Sequence, residues 1–181
     1  MVLDGGGIIP DICIKPAAFS QITADLYANN YIFDYANLFA SNNAGIPSAN
    51  DFGITDTIYN DFKRYVESQE FKYLTETESL IERIKKSAER ESYISAIDTQ
   101  LESLDSLVKE EKKQDIVKFR DEIQDLLLME IISRYYYQEG KIIAAIKNNL
   151  EVEEAKKVLA DEALYTSILN GTYKKADCDK D

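Results

Sequence analysis

The residue types that most often carry chemistry are scarce in this sequence, and one of them is absent. There is no histidine, which removes Ser-His-Asp and Cys-His catalysis, imidazole metal ligation and the ordinary pH switch together. Two cysteines, Cys13 and Cys178, lie near opposite ends; they allow one disulfide but make no framework. Gly5, Gly6 and Gly7 form a run that could cradle a phosphate, yet Ile8-Ile9-Pro10 follows where a P-loop needs lysine and a hydroxyl. A tight turn explains the glycines. Asp177, Asp179 and Asp181 alternate like the first ligands of a calcium loop, but the loop glycine and closing glutamate do not follow. Glu151, Glu153 and Glu154 fit the first turn of a helix, where carboxylates favour the dipole. Asn170-Gly171-Thr172 matches a glycosylation triplet and equally a helix stop. A Ser-Lys dyad needs no histidine, but no serine sits on a Gly-rich elbow with oxyanion donors. No catalytic, cofactor-binding or metal-binding residue is assigned, and the chain is expected to need no cofactor.

Tyr135, Tyr136 and Tyr137 are the exception to this bland pattern. Consecutive residues on a helix point about 100° apart, so at most two of the three face one core. The third belongs at a rim or on a docking surface, and the three are the candidate docking residues. Their hydroxyls need partners or water.

The elements that position these residues are mostly helical. The 181 residues carry 21 Lys+Arg against 33 Asp+Glu, a net charge of −12, which disfavours nucleic-acid binding and anionic lipid. Charged residues are 30% and hydrophobic residues 45%, enough for a core and against wholesale disorder. No apolar run approaches the roughly 18 residues of a membrane span, so no direct membrane insertion is expected. All three prolines, Pro10, Pro16 and Pro47, lie in the first quarter. Before Pro16, Ile8, Ile9, Ile12 and Ile14 around Pro10 and Asp11 read as a turn and a short strand. Residues 17–40 read as one helix, closed by the Ser41–Pro47 turn cluster. Thr55 or Asp56 caps a helix carrying Ile58, Phe62, Tyr65 and Val66, and Thr75 with Glu78 fits a capping box. Ile94, Ile97, Leu101, Leu104 and Val108 are spaced 3, 4, 3, 4, and Ile116, Phe119, Ile123 and Leu126 repeat the pattern. The simplest arrangement is a long antiparallel hairpin of Leu80–Val108 and Ile116–Tyr137, reversing in Lys109–Gln114. Leu126-Leu127-Leu128-Met129 and Ile131-Ile132 are apolar nearly all round and should be covered on several sides. A further helix starts at Leu150, and the packed structure ends near Asn170-Gly171.

Two stretches carry a family resemblance. Asp4-Gly5-Gly6-Gly7-Ile8-Ile9-Pro10-Asp11-Ile12 resembles the segment closing the protease core of carboxyl-terminal processing (tail-specific) serine proteases. Ser133-Arg134-Tyr135-Tyr136-Tyr137-Gln138-Glu139-Gly140 resembles a stretch in the helical C-terminal part of Bacteroidetes-type members, and Glu151 to Asp161 is similar to the run that follows it. The resemblance implies a mainly α fold: an N-terminal strand like the last strand of a protease core (1–16), then a helical C-terminal domain (17–181). The latter divides into helices and connector (17–74), helical hairpin (75–137), terminal helices (138–170) and tail (171–181). It marks Gly5, Gly6, Gly7, Pro10 and Asp11 as the core junction. It implies a Ser-Lys endoprotease with a PDZ module in the periplasm or cell envelope. The protease core and PDZ module of the same polypeptide are then the expected partners, with a homo-oligomer possible. The family's serine and lysine lie upstream of the glycine run, where this sequence has only Met1 to Asp4. The expectation is therefore a C-terminal piece, inactive alone, that buttresses the core, shapes substrate access or supports self-association; the alternative is a free-standing helical interaction domain.

Overall fold

The structure is a computed structural model that describes residues 10–14, 18–147 and 149–174. Among the described residues the chain forms α1 (Gln21–Ala28), α2 (Tyr31–Asn42), α3 (Asp56–Ser68), α4 (Glu76–Arg90), α5 (Ile94–Lys112), the single turn α6 (Asp115–Lys118), α7 (Arg120–Lys147), α8 (Leu150–Ala160) and α9 (Glu162–Leu169). They fall into two compact units. The larger is Phe19–Ala144, and the smaller joins the segments Met1–Ala18 and Ala145–Asp181.

The core of the larger unit lies along α7. Ile123, Leu127, Ile131 and Ile132 are fully buried, and Leu126 and Leu128 nearly so, as expected from the all-round apolar stretch. They share one cluster with Ile22 and Leu26 of α1, Ile32, Tyr35 and Ala36 of α2, and Tyr59, Phe62 and Val66 of α3. Burial of each such side chain is worth about 1.5–3 kcal/mol. Edge-on ring contacts tie α2 to α3: Tyr35 meets Phe62 at 5.2 Å between centroids. The Tyr35 hydroxyl donates to Ile58 O and Asp61 Oδ2, both at 3.1 Å; burial and the Asp61 carboxylate raise its pKa. The Tyr59 hydroxyl donates to the carbonyl of Ile116, and burial pushes its pKa up to about 12.

Two expected helices are broken. The single helix over 17–40 is α1 and α2, separated at Asn30, which is left-handed (φ 65°). The break resets the helical phase, so Ile32, Tyr35 and Ala36 are buried while Phe33 is exposed. The single arm over 80–108 is α4 and α5. Its reversal falls at Glu91–Tyr93, where Ser92 is left-handed (φ 62°). There Tyr93 N–H donates to Ala88 O (2.8 Å) and Ser92 N–H to Glu89 O (3.2 Å), the bond pair of a Schellman stop. The hairpin is thus formed by α4 against α5, and only Leu101 of the expected α5 stripe is buried. Residues 109–112, expected to hold the reversal, are the last turn of α5.

Other stops follow the sequence closely. Thr75 and Glu78 form the capping box of α4, and Thr55 caps α3 through Ile58 N–H. At the end of α9, Gly171 (φ 69°) ends the helix, with Thr172 N–H donating to Ser167 O at 2.9 Å. The expected strand over Ile8–Ile14 lies partly outside the described residues. Its described part, Pro10–Ile14, has bends and no strand pairing.

The hairpin seam and the α7 core should respond differently to damage. Ile131→Ala should lower global stability by about 2–5 kcal/mol, read from chemical unfolding. Leu101→Asp buries an unpaired charge in the hairpin, outside the main cluster. It should strip hydrogen-exchange protection from α4 and α5 while α7 keeps its own; loss of protection in α7 to the same degree would contradict this separation.

Candidate functional site

The stretch from Arg134 to Gly140 lies on α7 where the helix is interrupted. Tyr137 has φ 52° and ψ −143°, and it divides α7 into two helical pieces. That backbone region costs a non-glycine residue about 1–3 kcal/mol and persists only where its surroundings fix it. Here they do. Before the break, the Arg134 guanidinium lies over the Phe33 ring, 4.4 Å from its centroid. Its Nε donates to Asn37 Oδ1 (2.7 Å) and its Nη1 to Glu130 Oε2 (3.1 Å), holding α7 to α2. After the break, Lys141 Nζ reaches the other oxygen of Glu130 at 3.4 Å, and Ala144 is buried in the core.

Gly140 completes the turn. It is buried, and a Cβ there would lie 2.4 Å from Tyr136 Cβ and 2.6 Å from Ile132 Cγ2. In an unbroken helix, residues 132 and 140 would stand about 12 Å apart along the axis. The chain has folded back on its own preceding turn, and only a residue without a side chain fits the contact.

The three candidate docking tyrosines therefore come together but divide their roles. Tyr135 OH donates to Asn43 O (2.7 Å) and Tyr136 OH to Pro47 O (3.1 Å). Both satisfy carbonyls of the turn that follows α2, strapping it to α7. Tyr137 is 77% exposed and is the one whose ring stands mainly in solvent.

Of the candidate junction residues, Gly5, Gly6 and Gly7 lie outside the described residues. Pro10 and Asp11 are exposed. They border a groove of about 550 Å³ within the smaller unit, floored by Ile12, Ile14, Ala155, Val158, Leu159 and Ile168. Cys13 is disulfide-bonded. Asp177, Asp179 and Asp181 lie outside the described residues. Glu151 and Glu153 occupy the first turn of α8, capped by Asn149, whose side chain accepts from Val152 N–H at 2.8 Å.

A second polar centre was not legible beforehand. Glu78 is buried, and its Oε2 accepts from Thr75 N–H (2.8 Å), Thr75 Oγ1 (2.9 Å) and Lys112 Nζ (2.7 Å). Lys112 also donates to Tyr73 O and lies 4.4 Å from the centre of the Tyr73 ring. The Tyr73 hydroxyl donates to Asp115; burial first, then that carboxylate, raises its pKa. The capping box announced Thr75 and Glu78, but Lys112 is 34 residues away from Glu78, and no local signal joins them. Burial alone would raise the Glu78 pKa; the bonds from Lys112 and Thr75 outweigh it and hold the carboxyl below its ordinary value. These groups close the base of the hairpin by bonding to one another. Among the described residues no group of three or more Cys, Asp or Glu side chains is placed to hold a metal ion.

With this geometry in view, comparison with known families is specific. The family model of the C-terminal helical domain of probable PDZ-proteases matches residues 22–159, and the chain belongs to that family. The match contains the whole Arg134–Gly140 stretch, so the family agrees with the resemblance seen in the sequence. No curated protein and no solved structure matches the chain.

Two outcomes test the site. Gly140→Ala should cost about 1–3 kcal/mol through overpacking against Ile132 and Tyr136, read as a lower melting temperature; an unchanged one would show that the return at Tyr137 is not tight. The second concerns Glu78. A carboxyl held below its unfolded value adds stability that is complete above about pH 4.3 and is lost as pH falls through the folded value. Glu78→Gln should therefore flatten the loss of stability between neutral pH and acid, and an acid limb as steep as that of the wild type would refute the assignment.

Proposed function

We propose that this chain is the non-catalytic helical domain of a carboxyl-terminal processing serine endopeptidase. In this reading it buttresses the protease core and PDZ module of the same polypeptide, shapes substrate access, or supports self-association. The observation that carries the proposal is the family match over 22–159, which covers nearly all of a unit with its own core. The polar clusters described above bind the chain to itself, which suits a scaffold. The glycine run at Gly5–Gly7, resembling the close of a protease core, supports attachment on the N-terminal side. The disulfide at Cys13 supports an oxidising compartment, in keeping with the periplasm or cell envelope.

The second reading is a free-standing helical interaction domain. The exposure of Leu80, Ile84, Leu104 and Leu107 on the α4–α5 hairpin favours a partner surface of some kind and is compatible with either.

Incubated with an unfolded protein or with a peptide of apolar C-terminus, the chain should give no serine-dependent turnover. Turnover abolished by one Ser→Ala substitution within it would overturn the non-catalytic assignment. In the polypeptide that carries the protease and PDZ regions, removal of 19–144 should lower both thermal stability and proteolytic rate. Unchanged stability and rate would favour the free-standing reading.

A further inference from the structure

The smaller unit is held by something other than a core. None of its described residues is buried. Ile12 and Ile14 are half-buried, as are Val158 and Ile168, which line the same groove. Leu150, Leu159 and Leu169 stand largely in solvent, at 58%, 68% and 69% exposure. Its helices are also short: α8 has 11 residues and α9 has 8. Helices below about 12–15 residues are marginal in water without tertiary packing. The caps at Asn149 and Asp161 satisfy backbone donors but bury no apolar surface. A unit with so small a core needs a staple.

Cys13 supplies one. It is half-buried between Ile12 and Ile14, and it is disulfide-bonded. The chain has two cysteines, so within the chain the one partner for Cys13 is Cys178. Both positions fall in the smaller unit, one in the segment that precedes the larger unit and one in the segment that follows it. A bond between them closes these two segments into a ring. Opening must then keep their ends together, which removes much of the conformational freedom that would favour it. The larger unit contains no cysteine and has its own core along α7.

We propose that a Cys13–Cys178 disulfide is a redox clasp on the smaller unit. Oxidised, it keeps the Pro10–Ile14 segment against α8 and α9. Reduced, it lets this unit open while the larger unit stays folded. The reductant is a dithiol. Its thiolate attacks the bond to form a mixed disulfide, which its second thiol resolves. Cys13 and Cys178 are left as thiols, carrying the two protons that the dithiol releases, and the dithiol leaves as a disulfide. In an oxidising compartment the clasp stays closed. This goes beyond the reading as a protease domain and does not depend on it.

Produced in an oxidising compartment and digested without reductant, the chain should yield a cross-linked peptide pair containing Cys13 and Cys178. Hydrogen exchange should then show the amides of α8 and α9 exchanging about 30-fold faster or more in dithiothreitol. Residues 123–132 of α7 should keep their protection. The double variant Cys13→Ser, Cys178→Ser should show the faster exchange without reductant and should not respond to it. The wild-type comparison decides the matter if that variant fails to fold. Two free thiols, a bond between two copies of the chain, or equal exchange with and without dithiothreitol would each overturn the proposal. Equal acceleration in α7 would also overturn it, because the bond would then staple the whole chain. None of these results bears on the non-catalytic assignment, which is read by turnover.

Discussion

A helix apolar on every side has to be surrounded, and that constraint organises the larger unit. Leu126, Leu127, Leu128, Ile131 and Ile132 cover more than one face of α7, and all are buried. No single neighbour can shield such a helix, so α1, α2 and α3 each give a stripe to it. Polar contacts at both ends set where those helices sit. Glu122 accepts from the backbone and hydroxyl of Ser20 at 2.8 Å ahead of α1, Asp56 of α3 pairs with Arg120, and Arg134 holds α2. Apolar burial supplies most of the stabilisation and is non-directional; the polar contacts supply the directions.

How much of this was legible depends on how each feature is encoded. Caps that act through a side chain at a fixed offset are local, so Thr55, Thr75 with Glu78, and the Gly171 stop could be read directly. The all-round apolar stretch of α7 is also local, and it announced the core. Asn30 is of a type that takes the left-handed conformation readily, so that break carried a signal; the breaks at Ser92 and Tyr137 were not legible, because each is a residue of another type at positive φ. Such a conformation costs an L-residue about 1–2 kcal/mol, so composition argues against a break there. The cost is met by contacts made elsewhere. At Ser92 these are the stop bonds and the seam that the hairpin closes, and at Tyr137 they are Arg134, Gly140 and the strapped turn. A 3, 4, 3, 4 spacing across 94–108 identified a helix with one facing side, but spacing does not say which helix it faces.

The candidate site shows the same division. Three consecutive tyrosines stand out in any reading, yet their roles depend on carbonyls 92 and 89 residues away. The need for glycine at 140 appears only once the chain has turned back on Ile132. The stretch that carries the family resemblance is thus a structural corner: a cation on an aromatic ring, two hydroxyl straps, a strained residue and a close approach. The parts of this corner depend on one another, and their mutual contacts account for the stretch with no need for a reacting group among them.

The base of the hairpin extends this argument to the α4–α5 arm. Ile81, Ala88 and Leu101 lie outside the cluster that α7 organises, so apolar packing alone would leave the arm free to slide. Glu78 removes that freedom. Its carboxylate is buried and accepts bonds from its own cap and from Lys112, and Lys112 is in turn committed to Tyr73. Shifting the register by one turn would strand a buried carboxylate without its cation, which is far more costly than losing apolar contact. The ion pair therefore contributes placement more than stability. It fixes which residues of α4 and α5 face each other, and so also which apolar residues are left on the outer flank.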